Sequence, residues 1–233
     1  MATTSSSSSV AGVKLSEVHV FDKMQWMMER AHNVFKLGHE SILKHLEEPD
    51  KLQQDLPNFL GYCGCWAGDI LVHHDTEEMV LFPFFSPRLD MSGEVDQHKV
   101  MHDHLDGILA YVNDPTTPLT FDADTLRQKM TAIRDPLFHH LDSELEHIRR
   151  ENMERNFSPQ EIEDILHKLD TYAQAHANPW TELPFFISHV APPYRGNFPE
   201  LPWIVSNVML PIFALRHSGR WKYSPYSAFN AAG

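Results

Sequence analysis

Four amphipathic stretches constrain this chain most, because each carries histidine on its apolar stripe. The first, from about Ser16 to Glu48, reads Met28, His32, Phe35, His39, Ile42, Leu46 at helical spacing. The second, from about Pro57 to Phe82, reads Phe59, Cys63, Trp66, Ile70, His73, Glu77. The third, from about Gly93 to Val112, reads His98, His102, Leu105, Leu109, Val112. The fourth, from about Ala123 to Glu151, reads Ile133, Leu137, His140, Glu144, Ile148, and Pro136 inside it predicts a kink. The breaks are "EPDKLQQDLP", "FPFFSPRLDMSG" and "NDPTTPLTFDAD", rich in proline and acidic or small residues. Connections this short predict an all-α, antiparallel up-down four-helix bundle.

In such a bundle, residues equidistant from a connection share a height. His32 and the cluster at 73–77 have their midpoint near residue 53, in the first break. The clusters at 73–77 and 98–102 meet about residue 88, and those at 98–102 and 140–144 near residue 121. His39 gives a midpoint near Pro57 and fits less well. One layer therefore collects His32, His73, Glu77, His98, His102, His140 and Glu144, five imidazoles and two carboxylates. Buried ionisable groups cost several kcal/mol each unless paired, so a core this polar implies cations. Two ions bridged by the two carboxylates would use the whole set. Mixed imidazole and carboxylate ligation without sulfur suits iron first, with manganese or zinc behind it.

The segment "HHDTEEMVLFP" poses a choice. His73 with Glu77 and His74 with Glu78 are each four apart, so either pair can address one point. The inner stripe favours His73 and Glu77 and leaves His74 and Glu78 as supporting groups. The stripe through His74 (Leu60, Ala67, Leu71) is also apolar, so replacement stays open. Pro83 is expected to halt the helix just past the layer. His19, His45, His147, His167 and His176 are expected on the surface.

Beyond the bundle, Ser158, Pro159 and Glu161 form a helix start, and a fifth helix should run to about Ala175. An irregular proline- and aromatic-rich extension follows. The domain reading is a disordered tail at 1–15, a bundle at 16–152 and a C-terminal helix and extension at 153–233. The extension either encloses an apolar substrate pocket or, the favoured reading, covers a bundle face. "LPWIVSNVMLPIFAL", Leu201 to Leu215, is too short to span a bilayer and is expected to pack. With a net charge of −13, nucleic acid and membrane are not expected partners. Cys63 and Cys65, two apart on a helix, are not expected to pair; a reducing, cytoplasmic setting follows.

"AHN" (31–33), "HHDTEEMVLFP", "QHKVMH" (97–102) and "HHLDSELEHI" (139–148) together resemble the hemerythrin-like, or HHE cation-binding, family. The similarity covers roughly residues 16 to 152. Fungal members resemble it further, through an extension like "LPWIVSNVMLPIFALRHSGRWKYSP". The resemblance implies a non-heme diiron centre that binds dioxygen. His32, His73, His98, His102 and His140 would be terminal ligands, and Glu77 and Glu144 bridges. Oxygen-carrying hemerythrins place an aspartate five after the last histidine. Here Glu144 stands four after His140 and five after His139, so oxygen carriage does not follow automatically. Three functions are therefore compared: an O2-activating oxidase or oxygenase with a small organic substrate, a non-catalytic oxygen-binding, iron-storage or sensing protein, and a structural metal site.

Overall fold

The computed structural model describes residues 12–229. Most of the expected tail lies outside them. Within the described part, Leu15–Glu17 forms a short 3-10 turn whose Leu15 amide donates to Glu200 in the C-terminal extension at 2.8 Å.

Four long helices form the bundle: α1 (Lys23–Leu46), α2 (Leu56–Thr76), α3 (Ser92–Asn113) and α4 (Ala123–His147). Consecutive helices pack side by side and α1 closes against α4. No strand occurs among the described residues. Asp122 starts α4 by accepting the amides of Asp124 and Thr125. α1 begins later than the sequence pattern suggests, because a second 3-10 turn, Val20–Asp22, precedes it. α4 ends at His147 rather than Glu151, and a short helix, Arg150–Asn156, follows. α5 (Pro159–His176) carries the expected capping box, with Ser158 and Glu161 bonded reciprocally.

The second connection departs from expectation. Pro83 does not stop the chain's helical course. Instead α2 runs into a π turn, Glu77–Leu81, and then a short helix, Phe82–Phe85. Proline has no amide to donate, and the wider turn absorbs the lost bond: Phe82 N–H reaches Glu77 O, five residues back. The turn opens at Glu77, so the chain is locally reshaped where one of its two most buried carboxylates sits.

The C-terminal extension packs on the bundle. Phe185, Val190, Phe198, Trp221 and Tyr223 are buried in one cluster with Phe35, Tyr62 and Trp66. At Gly38 the approach is close enough that a Cβ would lie 2.5 Å from the Trp66 ring and 3.0 Å from Phe185. Trp66 donates its ring N–H to the Phe35 carbonyl at 2.9 Å. Cys63 and Cys65 are both buried and unpaired, as expected.

α6 (Glu182–His189) ends in a buried polar tie between extension and bundle. His189 Nδ1–H donates to Phe185 O at 2.7 Å, leaving Nε2 to accept the Tyr62 hydroxyl at 2.7 Å. Burial lowers the His189 pKa to about 4. The folded state thus keeps the ring neutral down to pH about 4, whereas the unfolded chain takes the proton near 6.5. The stability this ring supports is fully present above pH 6.5 and is lost as pH falls toward 4, a loss of about 3 kcal/mol. Denaturant melts of metal-free protein at pH 7.5 and 4.5 should show a smaller acid loss in His189→Gln than in wild type. Equal losses would refute the assignment.

Not everything expected to pack does so. Trp203, Ile204, Val208, Met209, Ile212 and Leu215 are exposed, between 39 % and 73 %. The segment Leu201 to Leu215 is anchored along one side only, where Leu210 meets Ile187 and Ala214 joins the main core. No helix among the described residues is long and apolar enough to cross a membrane. Among the histidines expected on the surface, His19, His167 and His176 are exposed. His45 is half-buried against Phe59 and Tyr223, and His147 half-buried beside Glu94.

Candidate metal centre

Helical geometry explains how one segment of α2 serves two points. At about 100° per residue, Glu77 falls roughly 40° from His73 and 60° from His74, between them. The carboxylate therefore straddles the directions its two histidine neighbours define. In the structure two groups of four ligand atoms result, each with all atoms within 4.8 Å of one another. One comprises His74, Glu77, His98 and His140; the other comprises His32, His73, Glu77 and Glu144. Glu77 belongs to both.

Six of the seven residues singled out in the sequence are thus brought together, and His74 joins them. His102 is not in either group. It lies one turn beyond His98 on α3, an axial offset of about 6 Å, and its ring stacks on His74 at 5.5 Å between centroids. His74 is fully buried, its ring 4.1 Å from that of His98, and occupies the place expected of His102. His39 is a core histidine outside the groups, bonded through Nε2 to Met130 O at 2.8 Å.

Hydrogen bonds settle which nitrogens are free. A carbonyl or carboxylate only accepts, so His32 Nδ1–H donates to Leu141 O at 2.7 Å and His98 Nδ1–H to Glu78 at 2.9 Å. His140 Nδ1–H donates to the Gln97 side-chain oxygen at 3.0 Å. Each ring then presents its Nε2 lone pair inward. The Nε2 atoms of His98 and His140 face each other at 3.2 Å. His32 Nε2 faces Glu144 Oε2 at 3.3 Å, and His73 Nε2 faces Glu77 Oε1 at 2.9 Å. Lone pairs directed at lone pairs repel unless a cation stands between them.

The satisfaction of these groups fits that reading. Glu77, Glu144 and His74 have no aligned hydrogen-bond partner on either polar side-chain atom, nor does Nε2 of His32 or His73. They stand at ion-pair distance from one another, without hydrogen-bond alignment. Unmet buried atoms of this kind are rare in folded proteins. Gathered at two points, they form the donor set a cation requires. No sulfur is among them.

Electrostatics divide the roles. Burial lowers the His32 pKa to about 4 and that of His140 to about 3, and pushes His74 well below its usual value. These imidazoles are neutral donors at physiological pH. Burial also acts on Glu77, but the neighbouring His73 and His98 rings, at ion-pair distance, outweigh it and hold its carboxyl well below the normal range. Burial together with the Glu77 charge pushes Glu144 well above that range. A cation beside Glu144 would act against that shift and favour its charged form. His98 is raised: burial opposes its charge, but Glu77 and Glu78 together prevail.

The Hemerythrin HHE cation-binding domain profile matches residues 25–148, over half the chain and every residue of both groups. The chain belongs to this family. As a hemerythrin HHE protein it is a cation-binding, all-α bundle with an extension beyond the matched domain. It is similar to the dimeric xanthone biosynthesis cluster protein R11 of Cryptosporiopsis sp. (strain 8999), at 25 % identity over 207 residues, covering 85 % of this chain and 76 % of that one. No solved structure matches it.

Proposed function

We propose that this hemerythrin HHE protein holds two iron ions and uses them to bind and activate dioxygen, as an oxidase or oxygenase of a small organic substrate. The observation that carries the reading is the shared carboxylate: Glu77 belongs to two four-residue groups, the arrangement of a dinuclear site. His74, His98 and His140 would hold one ion, and His32, His73 and Glu144 the other, with Glu77 common to both. The donor set, nitrogen and oxygen without thiolate, favours iron over softer-ligand metals. When bound, such ions would supply the electrons that dioxygen needs to react.

The chain's own residues do the rest. Glu78, Gln97 and the Leu141 carbonyl hold His98, His140 and His32 in one tautomer and one orientation. Phe35 lies 5.0 Å from the His73 ring and Phe82 5.1 Å from that of His98, excluding water from the layer. His73 is the least enclosed of the seven, with 14 % of its side chain exposed, so approach from solvent would come past it.

Two observations lean the reading toward an enzyme. The similar protein carries a biosynthesis-cluster name, and the chain continues some 80 residues past the matched domain. Oxygen carriage, iron storage and sensing are the alternative. Reducing the iron-loaded protein and admitting air separates them. Oxygen consumption that rises when a phenol or small organic acid is added, with permanent oxidation of the protein's iron, is the expected result. A colour change that reverses under vacuum without substrate consumption would favour a carrier, and protein that retains no iron would overturn both readings.

A further inference from the structure

The exposed face of Leu201 to Leu215 stands apart from the metal layer and from the family domain. A π turn, Val205–Met209, leads into α7 (Leu210–Arg216), with Pro211 in its first turn. Leu210 and Ala214 face inward, and Trp221 Nε1–H donates to Ala214 O at 2.9 Å. The outward side carries Ile204, Val208, Ile212 and Leu215 at three- to four-residue spacing, with Trp203 and Met209 beside them. This ridge is about 20 Å long. Six large side chains, each 39 % to 73 % exposed, amount to several hundred Å² of apolar surface. A free monomer's largest patch is about 300–600 Å², and a stable interface buries about 800 Å² per partner. The ridge supplies most of that area.

Charge decides between occupants. The chain has a net charge of −13, yet residues 201–233 contain no acid at all. An anionic bilayer would need basic residues along the ridge, and none lies between Leu201 and Leu215. The cations that follow are engaged by the protein itself: Arg216 over the Trp180 ring, Arg220 on the Cys65 thiol, Lys222 with Asp55. An acidic body would meet an acidic membrane unfavourably. A second copy of this chain presents the same uncharged ridge. Pairing ridge to ridge buries both apolar faces with no charge on either, and such a face can pair with itself about a twofold axis. We infer that two copies of this protein associate through the Trp203–Leu215 ridge. The inference is independent of which metal the bundle holds.

Sedimentation equilibrium of the full metal-loaded chain at micromolar concentration tests it. The expected mass is twice the 26.9 kDa of one chain. Ile212→Asp combined with Leu215→Asp places two charges on the ridge and should weaken association roughly a hundredfold or more, with metal content and helical signal unchanged. Trp203→Ser, at the other end, should weaken it in the same direction and guards against misfolding of the double variant. A monomeric wild type overturns the inference. So does a dimer that survives both variants. Monomer that floats with phosphatidylserine-containing vesicles overturns it in favour of a lipid surface.

Discussion

Glu77→Gln should abolish binding of both metal ions, the largest effect expected of any single substitution here. The amide keeps the shape of the side chain and removes the charge shared by both groups. Metal analysis after reconstitution should find neither ion retained. His74→Ala should cost one ion of the pair, because His74 serves one group only. His102→Ala should leave both in place. Glu78→Ala, which removes the acceptor of His98 Nδ1–H, should weaken binding by about 10–100-fold, the usual consequence of losing a group that orients a ligand. Should His102→Ala cost an ion while His74→Ala costs none, the register read from the apolar stripe is right and the two groups seen in the structure are not the binding sites.

Removing the metal should lower the melting temperature by roughly 8–16 °C. The layer buries Glu77, Glu144 and four histidines, with His73 at its edge, and both carboxylates, His74 and the Nε2 atoms of His32 and His73 lack partners, so the bundle is held by whatever neutralises them. A ligand present at about 1,000 times its Kd stabilises the folded state by about 4 kcal/mol, and each kcal/mol shifts a domain of this size by about 2–4 °C. Thermal melts with and without chelator measure the difference. Glu144→Gln refines the test. Burial and the Glu77 charge both disfavour a charged Glu144 in the metal-free protein, so the neutral amide should cost the metal-free melt little. It should shrink the gain on adding metal. Equal melts with and without chelator in wild type would mean that the layer is stable empty.

The bundle was legible because helical period and break spacing are local properties. Apolar stripes at three- to four-residue intervals place His32, Glu77, His98, His140 and Glu144 inward whatever their partners. Break positions alone then put them at one height. At 73 and 74 the structure brings in His73, as the stripe favours, and His74 as well, for a packing reason. A stripe argument assumes one buried face, but α2 is enclosed by α1, α3 and the C-terminal extension. Leu60, Tyr62, Cys63, Trp66, Ala67 and Ile70 are all buried, and at about 100° per residue they span roughly 160° of the helix. A buried arc this wide takes in both His73 and His74, so periodicity cannot choose between them, and each joins one of the two groups. The 100° between them lets Glu77 stand between two groups. The same adjacency displaces His102, which shares a stripe with His98 but not a level.

The ridge at 203–215 is the opposite case. An uncharged apolar run reads as a packed element, since burying it is favourable wherever a partner exists. Whether this chain provides that partner depends on which surfaces the extension leaves free, and no local pattern encodes that. Sequence by itself determined the four helices, their common polar layer and the chemistry of the donors, because these follow from backbone period and side-chain type. Tertiary structure alone decided that His74 enters the layer, that Glu77 but not Glu144 belongs to both groups and that the ridge faces outward. Those outcomes depend on how many neighbours enclose each element, and enclosure is a property of the assembled fold.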